Sequence, residues 1–166
     1  MFKNKRLKQF LFPKITLFFL LRVFALVLFT YLFFGYVFTP IYIDGFSMEP
    51  TYENGEWNFC NKVKYIYSKP KRYDVVLIKY AGKKVMLMKR IVAFSGETVE
   101  FKNGNLLING KRLKEPYLFY NLNWNLEARK VEEGNIYVIG DNRSTPIEQH
   151  VFGQTPLTRI VGSVSW

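Results

Sequence analysis

Asp74–Tyr80 reads DVVLIKY, Ala81-Gly82 follows, and Lys83–Ala93 reads KKVMLMKRIVA. Both runs are rich in Val, Ile and Leu, and the small pair between them is turn chemistry, so the stretch predicts an antiparallel hairpin. In the second run alternate residues share a face. Val85, Leu87, Lys89 and Ile91 then lie on one side, and Met86, Met88 and Arg90 on the other. A lysine in an apolar row either extends its ammonium to water or stays desolvated, with a pKa pushed down from near 10.4. In the second case it is a candidate general base.

Toward the C-terminus the pattern stays short and β-like. Val99–Phe101 and Leu106–Ile108 flank Asn103-Gly104-Asn105, a hairpin signal, and Asn109-Gly110 marks the next turn. Asn135–Ile139 is a strand running into Gly140-Asp141-Asn142, and Val161–Trp166 is a last strand. Tyr117–Val131 is polar and studded with aromatics, and its pattern assigns it to no element. No long amphipathic helical period follows residue 40, and no repeat is present. The expected fold is mainly β: an antiparallel sheet or partly open barrel with a small β extension at about 98–133.

Toward the N-terminus, Ile15–Thr39 is almost wholly apolar. About 20 helical residues span the roughly 30 Å hydrocarbon core of a bilayer. Arg22 lies near the basic end, where it can reach the headgroups. The run is longer than the ~7–15 apolar residues of a cleavable leader, and it has no polar face, so a retained membrane anchor is expected. Residues 1–14 then form a basic tail, 15–39 the anchor and 40–166 a β domain. All basic residues of this region precede the apolar stretch that follows Arg22, which predicts a single-pass protein of the cytoplasmic (inner) membrane. Its N-terminus is cytoplasmic and its β domain lies on the outer, periplasmic or extracellular, side.

The net charge of +11 invites a nucleic-acid reading, but its distribution argues against one. Of 24 Lys and Arg, six (Lys3, Lys5, Arg6, Lys8, Lys14 and Arg22) precede residue 40, leaving 18 against 13 acids for the rest. That is a mildly basic globule with no nucleic-acid surface expected. The single cysteine, Cys60, and single histidine, His150, allow no internal disulfide and no Cys- or His-rich metal site. A Cys–His peptidase built on these two is chemically conceivable, although nothing local favours it.

Gly45-Phe46-Ser47-Met48-Glu49-Pro50-Thr51 begins a few residues beyond the apolar run. A serine between Gly and Pro suits an exposed turn, where nearby backbone N–H groups can face a developing oxyanion. Taken alone, the heptapeptide favours a plain turn serine.

Three segments together, in this order, resemble the type I signal peptidase family. Ser47-Met48-Glu49-Pro50-Thr51 is similar to its nucleophile motif SMxPT. Lys89 to Glu97 is similar to its KRxxGxPGD segment, and Gly140-Asp141-Asn142-Arg143, with Gly153, to its GDNxxxSxDSRxxG box. Asp74-Val75-Val76, Asn109-Gly110 and Glu115-Pro116-Tyr117 also match family stretches.

The resemblance implies a mostly β fold outside the membrane that cuts signal peptides from exported preproteins after small residues at the first and third positions before the cut. Ser47 is then the nucleophile and Lys89 the base, with no metal or cofactor. The Ser47 N–H serves the oxyanion, and Gly45, Met48 and Pro50 help position substrate, which adds as a strand. Gly45 stands where some members carry a second hydroxyl donor. Asp141, Asn142, Arg143, Glu148 and His150 support the site. The family's Ser, Asp and Arg of the last box are here Pro146, Glu148 and His150. His150 is therefore expected to be the cation facing Asp141 and Glu148, with Arg143 as the alternative, and activity to fall as His150 deprotonates. Two other readings stay open. One is a peptidase dedicated to a single substrate, such as a conjugative pilus subunit. The other is a membrane-tethered binding module that has lost catalysis.

Overall fold

The hairpin predicted around Asp74–Ala93 forms the middle of the protein. The computed structural model describes residues 15–81 and 85–164. The predicted basic tail at 1–14, Gly82 of the predicted Ala81-Gly82 turn with residues 83–84, and the end of the last predicted strand at 165–166 lie outside that range. β3 (Val75–Ala81) pairs antiparallel with β4 (Val85–Phe94), and Val76 stands opposite Lys89. β3 is β-branched on both faces and is buried on both. Val75 and Leu77 join a cluster with Met48, Tyr52 and Cys60, while Val76 and Ile78 pack with Ile91, Ile136 and Val138.

Around this pair the main sheet runs β1-β2-β11-β3-β4-β9-β10. It adds β1 (Phe38–Tyr42), β2 (Trp57–Asn61), β9 (Asn135–Ile139), β10 (Gly153–Pro156) and β11 (Ile160–Val164). All its pairings are antiparallel, and it ends at β1 and β10 rather than closing into a barrel. The second sheet, β7-β6-β5-β8, is built from β5 (Thr98–Lys102), β6 (Asn105–Ile108), β7 (Lys111–Arg112) and β8 (Leu126–Lys130). Its inward row of Val99, Phe101, Leu106 and Ile108 packs with Trp124 and with Val92, Ala93, Tyr137 and Ile139 of the main sheet.

The turn chemistry explains the second sheet. Asn103 and Gly104 have φ of 49° and 76°, and Asn109 and Gly110 have 52° and 75°. Two successive positive φ values match the right-handed twist of the flanking strands. β1, β2, β7, β8 and β10 do not stand out in the sequence, because they are short and at most two residues of each are buried. β8, Leu-Glu-Ala-Arg-Lys, buries nothing completely and is held by pairing with β5.

At the N-terminal side α1 (Leu17–Leu32) runs through a π-helical turn, Phe33–Val37, straight into β1. Thr16 caps α1 by accepting from Phe19 N at 3.2 Å. Leu17–Val37 is a 21-residue apolar span that the rest of the protein leaves uncovered. Helix and sheet are bound where they meet: Lys62 N donates to Val37 O and Lys62 Nζ to Gly35 O. Phe38 stacks on Phe33 with ring centroids 6.2 Å apart, and Phe59 of β2 lies 6.0 Å from Phe38.

Gly104 is the least replaceable hairpin residue. A Cβ there would sit 2.6 Å from Leu122 O at a φ of +76°. Gly104→Ala is expected to cost about 1–3 kcal/mol, read as a Tm lower by roughly 4–8 °C per kcal/mol.

Candidate active site

The loop that joins β1 to β2 carries Ser47, and it is fixed by a bond within the loop, by a core plug and by bonds from the corner after β9. Gly45, at a φ of +133°, donates its N–H to Asn54 Oδ1 at 2.8 Å. Met48, 1% exposed, plugs the core beneath the loop with Tyr52. From above, Asn142 N donates to Ser47 O at 3.1 Å and Asn142 Nδ2 to Phe46 O at 3.0 Å. The approach is so close that a Cβ on Gly140 would lie 2.2 Å from Ser47 O. Only glycine lets the Gly140-Asp141-Asn142 corner rest on the loop. Among the described residues, the Ser47 N–H has no acceptor.

Asp141 is the electrostatic centre of this corner. It is fully buried and accepts from Arg90 Nε at 2.8 Å, Arg90 Nη2 at 2.5 Å and Thr51 Oγ1 at 2.6 Å. Arg90 also donates to Tyr73 O at 2.8 Å and lies 4.0 Å from the centroid of the Tyr117 ring. β4, the serine loop and the end of β9 are thus joined by a bidentate, charge-assisted pair.

Lys89, next to Arg90 on β4, points to the opposite side. It is 3% exposed, and among the described residues no side chain pairs with it or hydrogen-bonds its ammonium. Burial lowers its pKa to about 8, against the opposing pull of Asp141. A cavity of about 290 Å³ is lined by Ser47, Lys89, Leu87, Asn142, Thr145 and His150, among others. A second cavity, of about 330 Å³, shares Ser47 and Leu87 and is walled by Ile41, Ile43, Met86 and Met88. Ser47 therefore stands where an apolar groove meets the lysine cavity. Clefts of about 590 and 660 Å³ open elsewhere, and neither contains Ser47 or Lys89.

The remaining candidates separate. Pro50 is exposed on the loop. Arg143 is fully buried, pairs with Glu115 at 2.7 Å and lies over Phe101 and Trp124, where it braces the second sheet. Glu148 is exposed, and no cation pairs with it among the described residues. The expected pairing of His150 with an acid is not made. Arg90 takes Asp141, and His150 lies near the cations Lys89 and Arg143. Burial first, and then those two charges, lower its pKa. His150 is therefore neutral near pH 7, and the expected fall of activity on its deprotonation has no basis in this geometry. The Cys–His alternative also fails. Cys60 is 0% exposed in the core with Met48 and Val75, and burial raises its thiol to about 11. Among the described residues no three His, Cys, Asp or Glu side chains gather into a metal site.

Thr51, Thr145 and Trp124 carry no local signal of a role of their own: Thr51 is one residue of the motif around Ser47, and the other two act through contacts between separate segments of the chain.

The sequence profile of the signal peptidase, peptidase S26, family matches residues 16–166. Signal peptidase I of Bacillus amyloliquefaciens is 37% identical over 139 residues, covering 77% of this chain and 72% of that protein. The probable signal peptidase I-1 of Synechocystis is 35% identical over 135 residues, 76% of this chain and 69% of that one. Signal peptidase IB of Staphylococcus aureus (strain COL) is 34% identical over 149 residues, 79% and 78% of the two chains.

Removing one partner of a buried pair strands the other charge, at a cost of about 3–5 kcal/mol. Arg90→Met is expected to lose that much in urea unfolding. Arg90→Met combined with Asp141→Leu should recover most of it, since no charge is then left unpaired.

Proposed function

The chain belongs to the signal peptidase, peptidase S26, family of serine endopeptidases, and from that premise we propose that Ser47 and Lys89 form its nucleophile–base dyad. The observation that carries this reading is the shared cavity: a turn serine and a buried lysine without a counter-ion line the same small space. At an ordinary pKa roughly one lysine in 2,500 is neutral at pH 7. With a pKa of about 8, roughly one in ten is neutral, enough to supply a base.

In the proposed cycle, a substrate lies extended in the apolar groove beside Ile41, Ile43, Met86 and Met88. The groove has room for small apolar side chains next to Ser47. Lys89 takes the Ser47 hydroxyl proton as the oxygen attacks the scissile carbonyl, forming an acyl-enzyme. The unpaired Ser47 N–H faces the developing oxyanion. Lys89 then gives its proton to the leaving amine and takes one from the water that hydrolyses the ester. No metal or cofactor enters. The apolar span Leu17–Val37 leads directly into the groove strand β1, which supports a membrane-anchored enzyme. The basic residues before the span favour a cytoplasmic N-terminus with the site on the outer side. Anchoring enzyme and preprotein in one bilayer raises their effective concentration.

The first test is cleavage of a purified preprotein in detergent, with product masses. The parent should cut after a small-x-small sequence, and Ser47→Ala and Lys89→Ala should lose at least about 10³-fold in rate. Full activity in Lys89→Ala would remove the base from the scheme.

Because neutral Lys89 is the active form, kcat/KM should rise about tenfold per pH unit up to a midpoint near 8 and level off above it. A profile flat from pH 6 to 9 contradicts the assignment.

Stability should rise with pH as well, over a higher window. The folded pKa of about 8 lies below the ordinary 10.5, so the unfolded chain binds more protons between these values and stability rises with pH across that window. Below pH 8 the buried charge costs about 3 kcal/mol. Lys89→Met should therefore be inactive yet more stable than the parent at pH 7 by up to about 3 kcal/mol, measured by urea unfolding.

A further inference from the structure

The lysine cavity contains two side chains that the proposed cycle leaves unused, Thr145 and His150. They are bonded to each other, Thr145 Oγ1 against His150 Nε2. Trp124, 3% exposed, holds both: its Nε1 donates to Thr145 O at 2.9 Å, and its ring meets the His150 ring edge-on with centroids 4.5 Å apart. The hydroxyl and the imidazole are thus fixed on a buried platform and open onto the space that holds Lys89 and Ser47. Among the described residues no side chain pairs with Lys89 or hydrogen-bonds its ammonium.

Building on the assignment of Lys89 as base, we propose that Thr145 and His150 are a positioning pair for it. His150 Nε2 accepts the Thr145 hydroxyl proton, and Thr145 Oγ1 accepts an N–H of the neutral Lys89 amine. The amine's lone pair is then left to face Ser47. This arrangement requires the His150 tautomer with its proton on Nδ1, which makes Nε2 an acceptor. The surroundings favour the neutral ring. Lys89 and Arg143 oppose a further positive charge, and His150 also borders the separate cleft of about 660 Å³ that Arg129, Tyr137 and Glu148 line. Protonation of His150 turns Nε2 into a donor, reverses the Thr145 hydroxyl and points its proton at Lys89.

His150 is the chain's single histidine, so its imidazole signals in tag-free, full-length protein in detergent micelles need no assignment. Nitrogen-15 spectra should show the Nδ1–H tautomer at pH 7.5, with a titration midpoint below 6.5. Thr145→Val should move the Nε2 resonance, and Lys89→Met should raise the midpoint. An Nε2–H tautomer, or spectra unmoved by Thr145→Val, overturns the pair whether or not the protein cuts any preprotein. In the cleavage assay, Thr145→Val should lower kcat about 10- to 100-fold with KM within about threefold, as for a slightly misplaced reacting group. Thr145→Ser should return to within about threefold of the parent. His150→Gln, which keeps an acceptor for the hydroxyl, should retain most activity, whereas His150→Phe, which keeps only the ring packing, should behave like Thr145→Val. Parent-like kcat in Thr145→Val, or equal losses in the Val and Ser variants at unchanged Tm, overturns the proposal. If the parent cuts nothing, the peptidase reading fails and the spectra still decide the pair.

Discussion

The Arg90–Asp141 pair holds the site together. Arg90 lies on the central strand β4, Asp141 at the corner after β9, and Thr51 of the serine loop bonds the same carboxylate. These segments are 39 to 90 residues apart in the chain, and this pair brings them to one point. With that corner fixed, Asn142 clasps the Ser47 loop, and the close contact at Gly140 sets its height above the sheet. A buried ion pair is not in itself a strong source of stability. Its value here is geometric, because two forked groups with several bonds each admit one arrangement.

The same pair governs the charge of the neighbouring lysine. Asp141 pulls the Lys89 pKa upward, against the dominant effect of burial. A free Asp141 would attract the ammonium and keep it charged. Arg90 occupies the carboxylate instead, and the alternation of β4 turns Lys89 to the other face, beside Leu87 and opposite Val76. Two adjacent cations on one strand thus meet opposite fates: one is bonded into the frame and the other is left without a counter-ion in an apolar setting. In the proposed cycle the lost stability at Lys89 is the condition for its reactivity.

A further constraint comes from the membrane side. α1 passes without a loop into β1, and the residues after β1 wall the apolar groove and carry Ser47. The stacked rings of Phe33, Phe38 and Phe59, together with the bonds from Lys62, tie that passage to β2. Helix, groove and serine loop follow one another within about thirty residues, so the position of the candidate site relative to the span is set by short-range structure.

The sequence by itself determined the parts that depend on local pattern. The apolar run read as a span because of its length and because it has no polar face. The strands of the central hairpin, β5, β6 and β9 read from their β-branched runs, and the Asn-Gly turns read from their need for positive φ. Lys89 was legible as a candidate from its place in an apolar row, whereas Ser47 stood out only through its motif and the order of the motifs that follow it. Only the tertiary structure decided how distant groups share charge and space. Nothing in the chain says that Asp141 will choose Arg90 over His150, since ion pairing depends on which side chains meet in the folded core. The strap carrying Trp124 and β8 is polar and irregular in sequence, and it is held by contacts with β5, Thr145 and His150. Edge strands such as β1 and β10 carry little pattern because their order comes from backbone pairing with neighbours that no local window contains.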